Sequence, residues 1–320
     1  MSKSLKSMAI AVAGLAVVAS PALALDEVKL VNSTKVVFET EHPYTGIEEG
    51  IFEKHGIKAS IIHGSGGAAS LQAVITGSQD VVWGNGVLGV LSAYAKGAPV
   101  RILGSVIRGV PDLYWYVKSD SPIKSFKDLT GDKVMAYSRP GSTTDLAAHF
   151  IADAMNIKPK FVSVGGPSGS RTQLMSGQVD TGWSVYPLNK NLIREGKIRI
   201  IGTGKEATGL NGVTIRVVAA NSNWLDKNRD VAKRLMVAFK ESRHMTYNSE
   251  KRLKTYAARW KLNFDDVKDA AQDTPFDVTT LLPVAGLDKI NEIALANKKI
   301  KKLLTAEQLK ELVHPMGDKP

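Results

Sequence analysis

Two stretches of the sequence, GSQDVVW at residues 77–83 and GQVDTGW at residues 177–183, share the pattern Gly-x-x-Asp-x-x-Trp. Each follows a segment with helical periodicity and precedes a short apolar run. Glycine readily adopts the left-handed conformation that ends a helix, and an aspartate three residues later can bond backbone donors of a turn. The pattern therefore predicts one helix-to-strand corner built twice, which favours a structural role for Asp80 and Asp180 over a catalytic one.

Outward from these corners, strand patterns alternate with helical patterns of about ten residues, as in crossover α/β units. One series covers residues 28–106 and a second covers residues 133–202, while the chain from Trp224 onward is mostly helical. We predict two α/β units with largely parallel sheets, followed by helices that bury their apolar faces on an earlier unit.

Glycine-rich loops precede the helices that lead into the two corners, GSGG at residues 64–67 and GGPSG at residues 165–169. Helix N-termini expose unpaired N–H groups and a partial positive charge, so loops at matching places predict one anionic ligand held between two lobes. A third helix begins in SRPGSTTD, residues 138–145. Ser142 and Asp145 fit a capping box there, and ligand contact by Ser142 or Thr143 is an equal alternative.

The first 24 residues have the features of a secretory leader. Lys3 and Lys6 precede an apolar run over residues 8–18, and the small residues before position 25 suit cleavage after Ala24. The run is shorter than the roughly 20 residues that span a bilayer. The sequence has no cysteine, which excludes disulfides, a lipid-modified N-terminal cysteine and a cysteine nucleophile. We expect an exported, periplasmic protein.

The chain is basic, with 42 Lys and Arg against 31 Asp and Glu, and loss of the leader leaves a formal charge of +9. The basic residues are scattered, and no helix-turn-helix, zinc or basic-aromatic motif is present, so no nucleic-acid partner is expected. The six histidines have no metal-ligand spacing. We expect no metal and no cofactor.

Four segments together resemble a known family: GSGGAASLQAVITGSQDVVWGN (64–85), AKGAPVRILGSV (95–106), SPIKSFKDLTGDKVMAYSRPGSTTDL (121–146) and LMSGQVDTGWSVYP (174–187). They are similar to periplasmic solute-binding proteins of ABC importers, in the subfamily for sulfonates, taurine, nitrate and thiamine-pyrimidine precursors. The resemblance extends over nearly the whole chain after the leader.

This resemblance implies an α/β, two-lobed type II periplasmic binding protein fold, in which each lobe is a mixed sheet flanked by helices. Lobe one would comprise residues 25–117 and 214–320, and lobe two residues 118–213. Crossings near residues 118–120 and 212–215 would form a hinge that closes on a ligand. The implied partners are a small solute and an ABC permease in the inner membrane, with the binding protein a monomer.

The resemblance also assigns ligand-lining positions by place in the chain. These are Ser33, Thr34, Ser65, Gly66, Gly67, Asn85, Ser142, Thr143, Trp183 and Tyr186. Most lie at a strand C-terminus or helix N-terminus, where open α/β sheets bind ligands. Among the arginines that could grip an acid group, the loop residues Arg139 and Arg171 rank ahead of Arg108 and Arg216. Trp83 is expected in the core, although a cleft position is an alternative, and Trp183 is the better cleft candidate.

Several functions remain open from sequence alone. A small anion such as a sulfonate or carboxylate fits the donor-rich loops, whereas a pyrimidine precursor or another aromatic heterocycle could stack on Trp183 and Tyr186. A ligand-sensing module for a membrane partner is a further alternative. Fungal thiamine-pyrimidine synthases resemble this subfamily but depend on a cysteine-rich segment, so the absence of cysteine argues against an enzyme.

Overall fold

The computed structural model of the protein describes residues 24–316, so the predicted leader lies outside the described residues except for Ala24. The strands are β1 Asp26–Asn32, β2 Ile57–His63, β3 Val81–Gly86, β4 Val100–Arg108, β5 Leu113–Lys118, β6 Val134–Tyr137, β7 Lys160–Ser163, β8 Gly182–Val185, β9 Ile198–Thr203 and β10 Thr214–Asn221. The helices are α1 Glu41–Glu48, α2 Ile51–Lys54, α3 Gly67–Ile75, α4 Val87–Tyr94, α5 Thr143–Met155, α6 Pro167–Met175, α7 Lys190–Arg194, α8 Ser222–Lys227, α9 Arg229–Asn248, α10 Glu250–Trp260, α11 Phe264–Asp273, α12 Leu287–Ala296 and α13 Ala306–Leu312.

A five-stranded sheet has the order β2-β1-β3-β10-β4. β1 runs parallel to β2 and β3, while β10 is antiparallel to both β3 and β4. The chain thus returns through β10 to the middle of the sheet that it began. We call this sheet and the helices packed on it the first lobe, and β5 to β9 with α5 to α7 the second lobe.

The second lobe has an antiparallel sheet of order β8-β5-β9 and a parallel pair of β6 and β7. The expectation of largely parallel sheets is therefore wrong for this lobe. A crossover helix forces parallel direction only on the strands that it joins, and β5 follows β4 through the short segment 109–112 without a helix. The mixed α/β architecture with sheets flanked by helices, which the resemblance implied, is confirmed.

The pairing of strand β5 shows to which lobe this strand belongs. The sequence placed that boundary at residue 117, which assigned most of β5 to lobe one, but β5 pairs with β8 and β9 along its length. We therefore propose that the first crossing between the lobes lies at residues 109–112, with the second at residues 204–213 between β9 and β10.

Both corners have the predicted backbone. Gly77 and Gly177 have φ angles of 75° and 78°, which lie in the left-handed region that glycine favours. The aspartates act differently from the prediction. The Oδ2 atom of Asp80 accepts from the N–H of Lys29 at 2.8 Å, and that of Asp180 from the N–H of Val134 at 2.9 Å. Each carboxylate ties its corner to a neighbouring strand rather than closing its own turn.

The C-terminal helices pack on the first lobe, as their apolar faces predicted. Helix α9 buries Leu235 and Phe239 against the five-stranded sheet, where the Phe239 ring lies 4.5 Å from that of Trp83. Helix α12 packs on α4. Among residues 24–316, no helix has both the length and the apolar character needed to cross a bilayer.

Candidate functional site

A cavity of about 340 Å³ lies where the two lobes face each other. It opens at the carboxyl ends of β1, β3, β6 and β8, which is the edge at which open α/β sheets bind ligands. Its wall is formed by Ser33, Thr34, Val37, Gly67, Ala68, Leu71, Gly84, Asn85, Gly86, Val87, Leu88, Gly89, Ser92, Leu113, Ser138, Arg139, Pro140, Gly141, Ser142, Thr143, Thr144, Leu146, Trp183, Val185, Ile215, Arg216 and Lys299.

The cavity brings together most of the positions that sequence reasoning selected. The residues shared by the prediction and the wall are Ser33, Thr34, Gly67, Asn85, Arg139, Ser142, Thr143 and Trp183. Ser65, Gly66, Arg171 and Tyr186 are not part of the wall. Contact of any of these residues with a ligand stays a prediction, although the geometry now separates the two groups.

Two helices of the first lobe start at the cavity without a side-chain cap. The N-cap residues of α3 and α4 are Gly66 and Gly86, neither of which has a side chain to accept a hydrogen bond from the first turn. Both starts line the cavity, through Gly67 and Val87. Their N-terminal N–H groups and the positive ends of the helix dipoles therefore remain available to an anionic group.

The start of α5 is capped by its own side chains. The Ser142 hydroxyl accepts from the N–H of Asp145 at 3.2 Å, and the carboxylate of Asp145 accepts from the N–H of Gly141 at 2.7 Å. Hydroxyls of Ser138 and Thr144 complete a cluster around Ser142. Capping is thus the observed role of Ser142, and its place in the wall leaves ligand contact as a prediction.

Arg139 reaches from the second lobe toward the first. A Cβ atom placed on Gly66 would lie 3.1 Å from Nη1 of Arg139, so the guanidinium sits directly over the N-cap of α3. Within residues 24–316 its side chain has no hydrogen-bond or ion-pair partner. Two positive groups, the guanidinium and the helix start, therefore meet at the cavity, whose wall contains no acidic side chain.

On the first-lobe side, polar groups of β1 and β3 are tied together. The Ser33 hydroxyl donates to Oδ1 of Asn85 at 3.1 Å, and the N–H of Ser33 donates to the carbonyl of Trp83. Across the cavity, the Thr143 hydroxyl would lie 3.6 Å from a Cβ on Gly86. The starts of α4 and α5 are thus close enough for one small solute to touch both.

Trp183 forms part of the cavity wall, and its indole N–H donates to the carbonyl of Gly165 at 3.2 Å. The loop at Gly165 therefore supports the tryptophan, and the start of α6 that follows it does not line the cavity. This corrects the expectation that the two glycine-rich loops present equivalent ligand sites. Trp83 is fully buried in the first lobe, which confirms its core position.

Arg171 and Tyr186 lie outside the wall of this cavity, and their contact with a ligand stays a prediction. Nη1 of Arg171 donates to Oδ1 of Asn189 at 3.2 Å. The ring of Tyr186 stacks on Tyr114 at 4.7 Å, with Nζ of Lys190 over it.

Arg216 lines the cavity, but its charge is paired with two buried acidic side chains. Nη1 lies 2.7 Å from Oε1 of Glu39 and 2.7 Å from Oδ2 of Asp112, and both carboxylates are buried. Burial raises the pKa of Glu39 to about 7, although the nearby Arg216 charge opposes this. Burial alone would lower the pKa of Arg216, but the charges of Asp112 and Glu39 raise it. This arginine is therefore held by two buried acidic side chains next to the cavity.

Sequence reasoning missed Lys299, which reaches the cavity from the loop after α12. Its Cε and Nζ atoms would lie 2.5 and 2.6 Å from a Cβ on Gly141, so the end of the lysine side chain lies directly against this glycine. No local pattern marks this lysine, because Lys298, Lys301 and Lys302 surround it in sequence. Its proximity to the cavity is a product of the fold.

The charged side chains in the cavity wall are all positive. It contains the cations Arg139, Arg216 and Lys299, and none of its residues is an aspartate, glutamate or histidine. Over residues 24–316, no cluster of His, Asp and Glu side chains is suited to a metal ion. The arrangement can hold an anionic group by charge and by N–H donation.

Solved structures with the same fold include two sulfonate-binding proteins. The periplasmic aliphatic sulphonate-binding protein SsuA from Escherichia coli is 19% identical, with 92% of this chain and 94% of that chain covered at a TM-score of 0.73. The alkanesulfonate-binding protein SsuA from Xanthomonas axonopodis pv. citri, bound to MOPS, is 18% identical, with coverages of 90% and 98% and a TM-score of 0.72.

The periplasmic nitrate-binding protein NrtA from Synechocystis PCC 6803 is similar over 77% of this chain and 69% of its own, with 17% identity and a TM-score of 0.61. At these identities the likeness establishes the type II periplasmic binding protein fold. No curated protein matches the sequence.

A family model gives the second line of comparison. The model described as NMT1/THI5 like matches residues 39–252, which include both corners and most of the cavity wall. The match covers more than half of the chain, and the fold agrees with it. The chain therefore belongs to the NMT1/THI5-like family.

Proposed function

We propose that this protein is the extracytoplasmic solute-binding component of an ABC importer, and that it holds a small anionic solute between its two lobes. The observation that carries the proposal is the unpartnered guanidinium of Arg139 over the uncapped start of α3, at a cavity between the lobes. The solute would be sulfonate-like or carboxylate-like, since planar or tetrahedral acid groups accept several N–H donors at once.

The charge and the hydrogen-bond donors of the wall support an anion. The wall carries cationic side chains and glycine-capped helix starts, and its hydroxyls at Thr34 and Thr143 can donate hydrogen bonds to acid oxygens. A helix start and a guanidinium that share one acid group act additively, because each favours the charged form of the ligand. An uncharged solute would leave both without a partner.

The same wall supports binding rather than conversion of the solute. Its residues include no aspartate, glutamate or histidine, and the sequence has no cysteine. These are the groups that most often act as general acids, bases or nucleophiles. Release of the solute unchanged to a membrane permease, after opening of the hinge, is the function that fits such a cavity.

An aromatic heterocycle fits the cavity less well. Stacking on both faces would need a second ring opposite Trp183, and Tyr186 is packed on Tyr114 outside the wall. We therefore place pyrimidine-like solutes below small acids. A role in ligand sensing for a membrane partner would use the same bound state and differs only in the partner.

A thermal-shift screen of the protein from residue 25 onward tests the binding proposal, with sulfonates, carboxylates, nitrate, pyrimidines and flavins as probes. A ligand at 100 times its Kd adds about 2.7 kcal/mol to the free energy of unfolding. We expect an acid to give the largest shift. Stabilisation by pyrimidines or flavins but by no acid would contradict the anionic assignment.

A pair of variants then locates the site. Arg139→Gln should weaken acid binding by about 10-fold to 100-fold, the loss expected for about 1.5–3 kcal/mol of charge-assisted hydrogen bonding. Arg171→Gln, outside the cavity wall, is the matched control and should bind as the parent does. Equal losses in both variants, or none in Arg139→Gln, would remove Arg139 from the site.

Uptake by cells tests the importer role. Deletion of this chain's gene should abolish uptake of the solute found in the screen, and the Arg139→Gln gene should restore it only at high solute concentration. Normal uptake in the deletion strain, together with a lost transcriptional response to the solute, would favour the sensing role instead.

A further inference from the structure

The charges around the cavity do not balance within the wall. Arg216 is paired with Glu39 and Asp112, so its charge is met by neighbouring acids. Arg139 and Lys299 have no side-chain hydrogen bond or ion pair with any residue in the range 24–316. Two cations therefore face one cavity of about 340 Å³ without an acidic side chain in its wall. A ligand with a single negative charge would neutralise only one of them.

The two cations are held at different parts of the wall. Arg139 extends from the β6–α5 loop to Gly66 and Gly67 of the first lobe. Lys299 extends from the loop after α12 and lies against Gly141 of the second lobe. Each cation thus reaches from its own lobe to a glycine of the other lobe.

The position of Lys299 is fixed by its backbone. Its N–H donates to the carbonyl of Ala294 at 2.8 Å, and the side chain of the next residue, Ile300, is buried. Gly141 has a φ of 77°, which favours glycine there, and the end of the Lys299 side chain lies against it. The backbone of Lys299 is thus held by a hydrogen bond and a buried neighbour, and its side chain reaches the cavity wall.

Part of the cavity wall is apolar. Leu71, Val87, Leu113, Leu146 and Ile215 line the cavity together with the ring of Trp183. An apolar wall favours a hydrocarbon body in the solute, because contact with that body removes both surfaces from water. A small inorganic anion would leave this surface uncovered.

Building on the proposed function, we propose that the solute is a small organic dianion, with an apolar body that carries two acid groups. One acid group is bound by Arg139 with the start of α3, and the other by Lys299. Lys299 is thus a specificity-determining residue that selects two-acid solutes over their one-acid analogues. Dicarboxylates, sulfocarboxylates and disulfonates share this chemistry.

Matched probe pairs with one and two acid groups on the same skeleton test this inference. Suitable pairs are benzoate against the three benzenedicarboxylates, benzenesulfonate against 3-sulfobenzoate, and butyrate against succinate, titrated by calorimetry at constant ionic strength. We expect the best dianion to bind at least 10-fold more tightly than its monoanion. Lys299→Met should remove this advantage, weakening dianion binding about 10-fold while the monoanion changes less than 2-fold.

Further variants separate ligand recognition by Lys299 from a purely structural role, in which Lys299 would only hold the two lobes together. Lys299→Arg keeps the charge and should retain most of the dianion preference. Lys301→Met, an exposed lysine outside the wall, is the matched control and should bind as the parent does. If the role of Lys299 is structural, Lys299→Met should weaken the binding of monoanions and dianions by the same factor. That result would overturn the inference.

The outcomes distinguish this inference from the proposed function. Binding of monoanions as tightly as dianions overturns the two-acid inference and leaves an anion-binding protein. Absence of binding by every acid tested, in a protein that melts cooperatively, overturns both.

Discussion

The two Gly-x-x-Asp-x-x-Trp corners have the same backbone and opposite environments. Trp83 lies within β3, between β1 and β10, is fully buried, and donates its indole N–H to the carbonyl of Glu39 at 2.8 Å. Trp183 lies within β8, at the edge of the β8-β5-β9 sheet, and lines the cavity. The local pattern specifies the corner, and the position of the strand in its sheet decides whether the tryptophan serves the core or the cleft.

The two tryptophans also differ in the residue whose carbonyl accepts the indole N–H. The partner of Trp83 is Glu39, whose side chain joins the buried cluster with Arg216 and Asp112. The partner of Trp183 is Gly165, which has no side chain. The first corner is therefore hydrogen-bonded to a residue whose side chain titrates, whereas the tryptophan of the second corner lines the cavity.

Replacement of each tryptophan by alanine should have unequal effects on stability. Trp83→Ala should lower the free energy of unfolding by about 3–5 kcal/mol, because it leaves a cavity in a closed core. Trp183→Ala should cost less, about 1–3 kcal/mol, since water can enter the cleft in place of the ring. Urea denaturation followed by circular dichroism measures both. Equal costs would mean that the two corners do not differ in the way described.

Acid titration should affect the first corner through Glu39. Burial raises the pKa of Glu39 from its ordinary value of 4.5 to about 7, so the folded protein binds this proton more tightly than the unfolded chain. The stabilising contribution is fully present below pH 4.5 and is lost as the pH rises to about 7. The shift corresponds to a change on the order of 3 kcal/mol.

Glu39→Gln should remove this contribution from the pH profile of the free energy of unfolding, since an amide does not titrate. Glu241→Gln is the control, because the pKa of Glu241 is lowered by hydrogen bonds from Lys54 and His55. That variant should keep the parent profile between pH 5 and pH 7. An unchanged profile in this range in Glu39→Gln would assign the titration to another group.

The aspartates of the two corners should be equivalent, in contrast to the tryptophans. Asp80→Ala and Asp180→Ala each leave a strand N–H without its acceptor, at Lys29 and Val134, and should each cost about 1–3 kcal/mol. Neither should change solute affinity more than 2-fold. A large loss of affinity in Asp180→Ala with normal stability would reveal a binding role for the second corner.

Local sequence patterns predicted much of the fold because the determinants are short-range. Helix α5 was predicted at its observed bounds, since Ser142 and Asp145 mark its start and an apolar stripe continues to Met155. The left-handed glycines of both corners were also recognised. Strand direction in the second lobe was not, because β5, β8 and β9 are paired by tertiary contacts that no local periodicity records.

The same distinction applies to the cavity. Its loop residues were found because they follow strands whose carboxyl ends meet at one edge. Lys299 and the pairing of Arg216 with Glu39 and Asp112 depend on segments far apart in the chain. Arg139 and Arg171 looked equivalent as loop arginines, and only the fold shows that the first faces the cavity while the second bonds Asn189.

The claim that a small acid is held between the lobes is tested most directly by tryptophan fluorescence during titration with the acid that stabilises the protein most. We predict a saturable change in emission that persists in Trp83→Phe and is lost in Trp183→Phe, because only Trp183 lines the cavity. A change that persists in Trp183→Phe with the same amplitude and is lost in Trp83→Phe would contradict the account.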